Sequence, residues 1–168
     1  MPPIAVKYVR VVDAINYRVG RFSMYLLFVL MGILLWSSFT NIIRQNAIWT
    51  LEMAQFTMVA YYMLGGPYSL QLDSNVRMDL LYHRWSDRTR AWVDAFSIFA
   101  LMFYLGVLLY GGVESTIYSL DYAERSATAW RPYIAPIKII MVVGILLMLL
   151  QAVSIFLKDV AKLRGEEL

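Results

Sequence analysis

Hydrophobic positions in this chain fall in long unbroken runs rather than in short alternating patches. Four stretches carry no Asp, Glu, Lys or Arg: 22–43, 53–72, 95–113 and 139–157, of 22, 20, 19 and 19 residues. A helix rising about 1.5 Å per residue needs about 20 apolar residues to cross about 30 Å of hydrocarbon. Each run therefore predicts one crossing, with spans at 22–43, 51–72, 91–115 and 134–157. Ahead of the first run the pattern changes to an amphipathic one. At about 100° per residue, Ile4, Tyr8, Val12, Ile15, Val19 and Phe22 share one face and Lys7, Arg10, Arg18 and Arg21 share another. An apolar stripe beside a basic one suits a helix lying among headgroups, its cations on anionic lipid and its side chains in the acyl region. The expected fold is an all-α integral membrane protein, one membrane domain over 1–168 with four transmembrane helices and an N-terminal interfacial helix over 4–21.

Local breakers refine the boundaries. Gly65-Gly66-Pro67 near the end of the second run predicts a kink or early unwinding, because proline lacks the backbone donor and crowds the preceding turn. Ser86-Asp87 supplies an N-cap hydroxyl and a first-turn carboxylate, so the third helix is expected to start near Asp87. Pro132 and Pro136 are expected to set the start of the fourth helix.

Composition narrows the class. The 168 residues are 60% hydrophobic and 16% charged, with mean hydropathy +0.58, which is too apolar for an ordinary soluble domain. The segments outside the spans are too short to build a separate catalytic domain. A transmembrane β-barrel would alternate polar and apolar over about ten residues. There is no cysteine, hence no disulfide or thiolate site, and the lone histidine, His83, cannot supply two axial imidazoles to a haem. No cofactor is expected. The net charge of +3 reflects basic residues flanking spans and does not point to nucleic acid.

The same basic residues predict orientation, since Lys and Arg gather on the cytoplasmic side. Eleven fall in the N-terminus, the second loop and the C-terminal tail; four, Arg44, Arg125, Arg131 and Lys138, fall on the other side. Both termini are expected to be cytoplasmic.

Chemistry within the spans is sparse. An ion-coupled transporter acting alone normally carries an ionisable group near the midplane. Here Glu52, Asp94, Glu114 and Lys138 all lie within a turn or two of a span end. Glu52 and Lys138 are read either as separate interfacial charges or as paired with each other or with a partner. Ser37, Ser38, Asn41, Gln55, Thr57, Tyr61, Tyr62 and Gln151 are the mild polar groups that hold helices together. No glycine-rich phosphate loop, H-E-x-x-H or nucleophile-His-Asp set is present. These residues describe a small non-catalytic membrane subunit. A membrane anchor for a redox complex and a small autonomous transporter are the alternatives.

The loops carry a more specific signal. Trp49-Thr50-Leu51-Glu52 opens the second span, and Tyr68-Ser69-Leu70-Gln71 is followed by Asn75-Val76-Arg77-Met78-Asp79. Glu124-Arg125-Ser126, Ala129-Trp130-Arg131-Pro132 and Pro136-Ile137-Lys138 precede the last span, which contains Leu149-Leu150-Gln151. In order and spacing these resemble the DctQ-like small membrane subunit of tripartite ATP-independent periplasmic (TRAP) transporters over essentially the whole chain. Asn75 departs from the histidine found before Val-Arg in many relatives.

The resemblance implies a subunit of a sodium-coupled importer of organic anions such as carboxylates, in the bacterial inner membrane. Its partners would be a large multi-span permease subunit, which the small subunit braces, and a periplasmic substrate-binding protein. Arg77 and Asp79 would then fix the cytoplasmic loop, and Glu52, Glu124, Trp130 and Lys138 would face the large subunit or the docked binding protein, with an aromatic belt at the membrane surface the alternative for Trp49 and Trp130.

Overall fold

The computed structural model describes residues 3–44, 47–72 and 87–163. Within them the chain is helical, with α1 Pro3–Ile42, α2 Thr50–Gln71, α3 Asp87–Asp121 and α4 Ala135–Leu163. The all-α class is as the apolar runs required, and α3 starts at the expected Asp87. Arg77 and Asp79 lie outside the described residues.

Three helices, α1, α3 and α4, are long and apolar enough to cross a membrane by length and composition. The charge-free run in α2 is the least apolar of the four, because a threonine, three tyrosines, two glycines and two glutamines interrupt it. Its setting explains how such a sequence is accommodated: α2 packs on both α1 and α4, so its polar groups meet protein. α3 packs on α4, and α1 also touches α4. The order in space is α1, α2, α4, α3, an open layer in place of a closed bundle.

α1 is unbroken for 40 residues, about 60 Å at 1.5 Å per residue, so no break marks the expected junction between interfacial helix and first span at 21/22. Its pairing changes along its length instead. From Asp13 onward it runs antiparallel to α2: Gln71 Nε2 donates to Asp13 O at 3.3 Å, Gly20 lies on Tyr68, Ser23 lies against Gly65, and Thr50 Oγ1 donates to Ser37 Oγ at 3.1 Å. Toward its N-terminus α1 crosses α4. Tyr8 Oη donates to Leu150 O and Asn16 Nδ2 to Gln151 Oε1. Asp13, between them on α1, reaches as far as Lys158 on α4.

Two close backbone approaches set the layer. A Cβ on Gly20 would sit 2.3 Å from Tyr68 Cβ, and one on Gly144 would sit 2.6 Å from Met63 O. The second approach accounts for the proline. Pro67 has no N–H for the carbonyl four residues back, which is Met63 O, and the bare backbone of Gly144 packs against that freed oxygen. The expected unwinding at Gly65-Gly66-Pro67 does not occur. α2 continues to Gln71 with Pro67 buried, because α4 covers the weakened turn. Between α3 and α4, Leu105, Ile145 and Ala152 form a buried apolar cluster flanked by Leu101, Met102, Leu109, Met148 and Leu149.

Gly144→Ala forces a methyl against backbone that has no rotamer to yield, a strain of about 1–3 kcal/mol. The variant is expected to unfold earlier than wild type in mixed-micelle denaturation, whereas Gly111→Ala, at a site with open space around its Cβ, should be near neutral.

Candidate functional site: polar clasps at the two ends of the layer

The described ionisable side chains gather mainly toward the ends of the helices, and they do so in two built clusters. The first, at the end that carries both termini, is centred on Asp13. Its carboxylate accepts from Gln151 Nε2 at 3.1 Å, Ser154 Oγ at 3.3 Å and Lys158 Nζ at 2.6 Å. Beside it, Asn16 Nδ2 donates to Gln151 Oε1 at 2.6 Å, both residues fully buried. Gln71 reaches the same place from α2 through Asp13 O.

The geometry follows from helical spacing. Asp13 and Asn16 are three apart on α1, and Gln151, Ser154 and Lys158 stand at i, i+3 and i+7 on α4, one stripe facing another. The Lys158–Asp13 pair is partly exposed, with side-chain exposures of 37% and 23%, so salt screens it. The Asn16–Gln151 bond is shielded from water, where breaking one partner leaves the other buried and unpaired.

The second cluster is at the opposite end, in the chain between α3 and α4. Ser126 N donates to Pro132 O at 2.9 Å and Ile134 N to Glu124 O at 3.1 Å, closing the segment on itself beside an isolated bridge between Arg125 and Tyr133. The Arg125 guanidinium stacks 4.3 Å from the centre of the Tyr133 ring and also donates to its hydroxyl. Ala123 and Arg131 take left-handed φ of 46° and 49°, conformations in which a Cβ is crowded. The Glu124 carboxylate accepts from Lys138 Nζ at 2.8 Å and from Ser119 Oγ. Lys138 Nζ also reaches Ser115 O at 3.4 Å. α3 and α4 are thereby tied at this end.

Lys138 therefore takes Glu124, and Glu52 is held separately. Glu52 is 3% exposed in the first turn of α2, where its Oε1 accepts from Ser126 Oγ at 3.2 Å. Its other oxygen is buried without a partner among the described residues. Three sequence candidates, Glu52, Glu124 and Lys138, thus share one neighbourhood through Ser126 and the loop backbone. Trp130 lies in the same loop and is 42% exposed. Lys7, Arg10, Arg18 and Arg21 are all exposed on α1.

The Asp13 cluster was not among the candidates drawn from sequence. Its signal was an acid and an amide three residues apart within an otherwise basic and apolar helix, matched by polar residues at helical spacing in α4. The Lys138 ammonium and the Ser119 hydroxyl, bonding the charged form, hold the Glu124 carboxyl below its ordinary value. A lowered carboxyl contributes stability above its unfolded pKa and loses it as pH falls through the lowered folded value. Thermal stability measured across the acid range is expected to drop more for wild type than for Glu124→Gln, which has no proton to take up there; equal acid sensitivity would mean that the tie carries no stability.

These clasps fix helices to one another. No group of three or more His, Cys, Asp or Glu residues suited to a metal ion occurs among the described residues. The chain matches the family model described as "Tripartite ATP-independent periplasmic transporters, DctQ component" over residues 30–162. No curated protein and no solved structure matches it. The family match spans most of the chain, including α2, α3, nearly all of α4 and the loop cluster at Glu124. The chain belongs to the DctQ family, a small non-catalytic component of TRAP transporters.

Proposed function

We propose that this chain braces the large permease subunit of a sodium-coupled importer of organic anions such as carboxylates, with both termini cytoplasmic in the bacterial inner membrane. The observation that carries the reading is where its polar bonds lie. One clasp joins α1, α2 and α4 at the termini end, a second joins α3, α4 and the first turn of α2 at the other, and glycine contacts close the interval. Helices pinned at both ends, with no described ionisable group at mid-depth, suit a part that keeps its shape while a neighbour moves. The partner that binds sodium and substrate is then the large subunit, supplied by a periplasmic binding protein, and Glu52, Glu124, Trp130 and Lys138 lie on the periplasmic face near both.

The first turns of α1 act as a membrane-surface anchor in this reading. Ile4, Val11, Ile15 and Phe22 are exposed apolar residues on a face beside the exposed Lys7, Arg10, Arg18 and Arg21. In this reading the apolar face meets the acyl region and the cations meet anionic headgroups. Spin labels at Ile15 and Arg10 test it. Ile15 should collide preferentially with lipid-soluble oxygen and Arg10 with an aqueous nickel chelate; a preference for nickel at both would place this segment in water.

Deletion tests the function itself. Cells that lack this chain but retain the inserted large subunit are expected to lose sodium-driven uptake of the carboxylate that the binding protein delivers. Undiminished uptake would overturn the bracing role.

A further inference from the structure

The clasp at the termini end contains two oxygens that the protein leaves unbonded. Asn16 is fully buried on α1, and Gln71 is part-buried at the end of α2. Asn16 Oδ1 and Gln71 Oε1 are both shut off from the surface, and neither has a hydrogen-bond partner among the described residues. A buried acceptor in that condition has given up its bonds to bulk water and gained none in return.

Rotating the amides does not remove the deficit. Lys158 Nζ lies 2.6 Å from Asp13 Oδ2, so the carboxylate is ionised and accepts only. Gln151 must therefore turn Nε2 toward Asp13 Oδ1, which it meets at 3.1 Å. That leaves Gln151 Oε1 facing Asn16, which must answer with Nδ2, at 2.6 Å. Asn16 Oδ1 is what remains. Gln71 is fixed in the same way, because Asp13 O is a carbonyl and only Nε2 can donate to it. Flipping either amide sets oxygen against oxygen and strands a donor as well.

The two oxygens belong to one neighbourhood. Gln71 docks on the carbonyl of Asp13, and Asn16 stands three residues further on, in the same turn of α1. Neighbouring donors are committed elsewhere: Ser154 Oγ and Lys158 Nζ to Asp13, Tyr8 Oη to Leu150 O, and Ser23 Oγ to Gly20 O. A cation is a poor occupant, since Lys158 already balances Asp13 and a further positive charge would sit uncompensated beside the ammonium. The site calls for a neutral donor small enough for a closed junction of three helices. Asp13 and Lys158 are partly exposed beside it, which is the side from which such a molecule enters.

We infer that the junction of α1, α2 and α4 is a binding site for ordered water, which donates to Asn16 Oδ1 and Gln71 Oε1. Buried water is retained where several polar groups converge on it, and a bridging bond of this kind is nearly as good as a direct one. The water also completes the joint. Gln71 meets the clasp at the backbone of Asp13; through water, α2 joins the side-chain network of α1 and α4. The site is built from this chain alone, so it goes beyond the bracing role and does not depend on it.

Water-edited solid-state NMR on the full chain in lipid bilayers tests the site. Magnetisation from water protons is expected to reach Asn16 Cγ and Gln71 Cδ several-fold faster than the methyl carbons of Ile145, which is buried in the apolar cluster between α3 and α4. Transfer to Asn16 Cγ as slow as to Ile145 would overturn the site. Gln71→Met removes one acceptor and leaves the Lys158–Asp13 pair in place. It should slow transfer to Asn16 Cγ several-fold, while transfer to Lys158 Cε, at the partly exposed pair, stays as in wild type. Equal transfer to Asn16 Cγ in the two proteins would show that the signal arrives from surface water, and the bridge between Asn16 and Gln71 would be wrong.

Discussion

Asp13 accepts three side-chain hydrogen bonds from a single stripe of α4, and the shape of the molecule depends on that clasp. Lipid supplies no driving force that pushes apolar helices together, since acyl chains are as apolar as leucine; packing and interhelical hydrogen bonds decide which helices meet and where. The clasp brings α1 onto α4, and the buried Asn16–Gln151 bond fixes the level at which they meet. With Gln71 reaching in from α2, three helices are registered at one depth. The rest of the α1–α2 pairing runs outward from there.

Away from the clasps the helices are held by absence of side chains. Gly20 and Gly144 let backbones approach where any Cβ would collide, and the Gly144 contact also covers the carbonyl that Pro67 leaves free. A proline that would end a helix in water is tolerated because a neighbouring backbone closes over the exposed group. The packing is thus pinned by polar bonds at its ends and by close contacts between them. An open layer results, in which α1 is free of charge over 22–43 and carries the exposed Lys7, Arg10, Arg18 and Arg21 before that run.

Much of this was legible beforehand. Charge-free runs of about 20 residues leave little choice but a membrane helix, because every backbone polar group in hydrocarbon must be bonded within its own segment. α3 begins at Asp87, as expected. The family match agrees with the resemblance carried by the loops around Glu52, Glu124 and Lys138. Of the kink or early unwinding expected at Gly65-Gly66-Pro67, the unwinding is prevented by a neighbouring helix. Of the Asp13 cluster only Gln151 was legible, as a polar group that holds helices together; Asp13, Asn16, Ser154 and Lys158, each taken alone, carry no signal of it.

The sequence by itself determined the all-α class and the ends at which the described charges collect, since each is set by the run length and transfer cost of contiguous residues. Tertiary structure decided the partners: Lys138 to Glu124, Glu52 to Ser126, Asp13 to Lys158, and α1 unbroken past residue 22. These depend on crossing angles and relative depth between segments up to 145 residues apart. Hydrophobic length alone does not set those quantities, because an apolar helix satisfies the bilayer at many tilts and rotations.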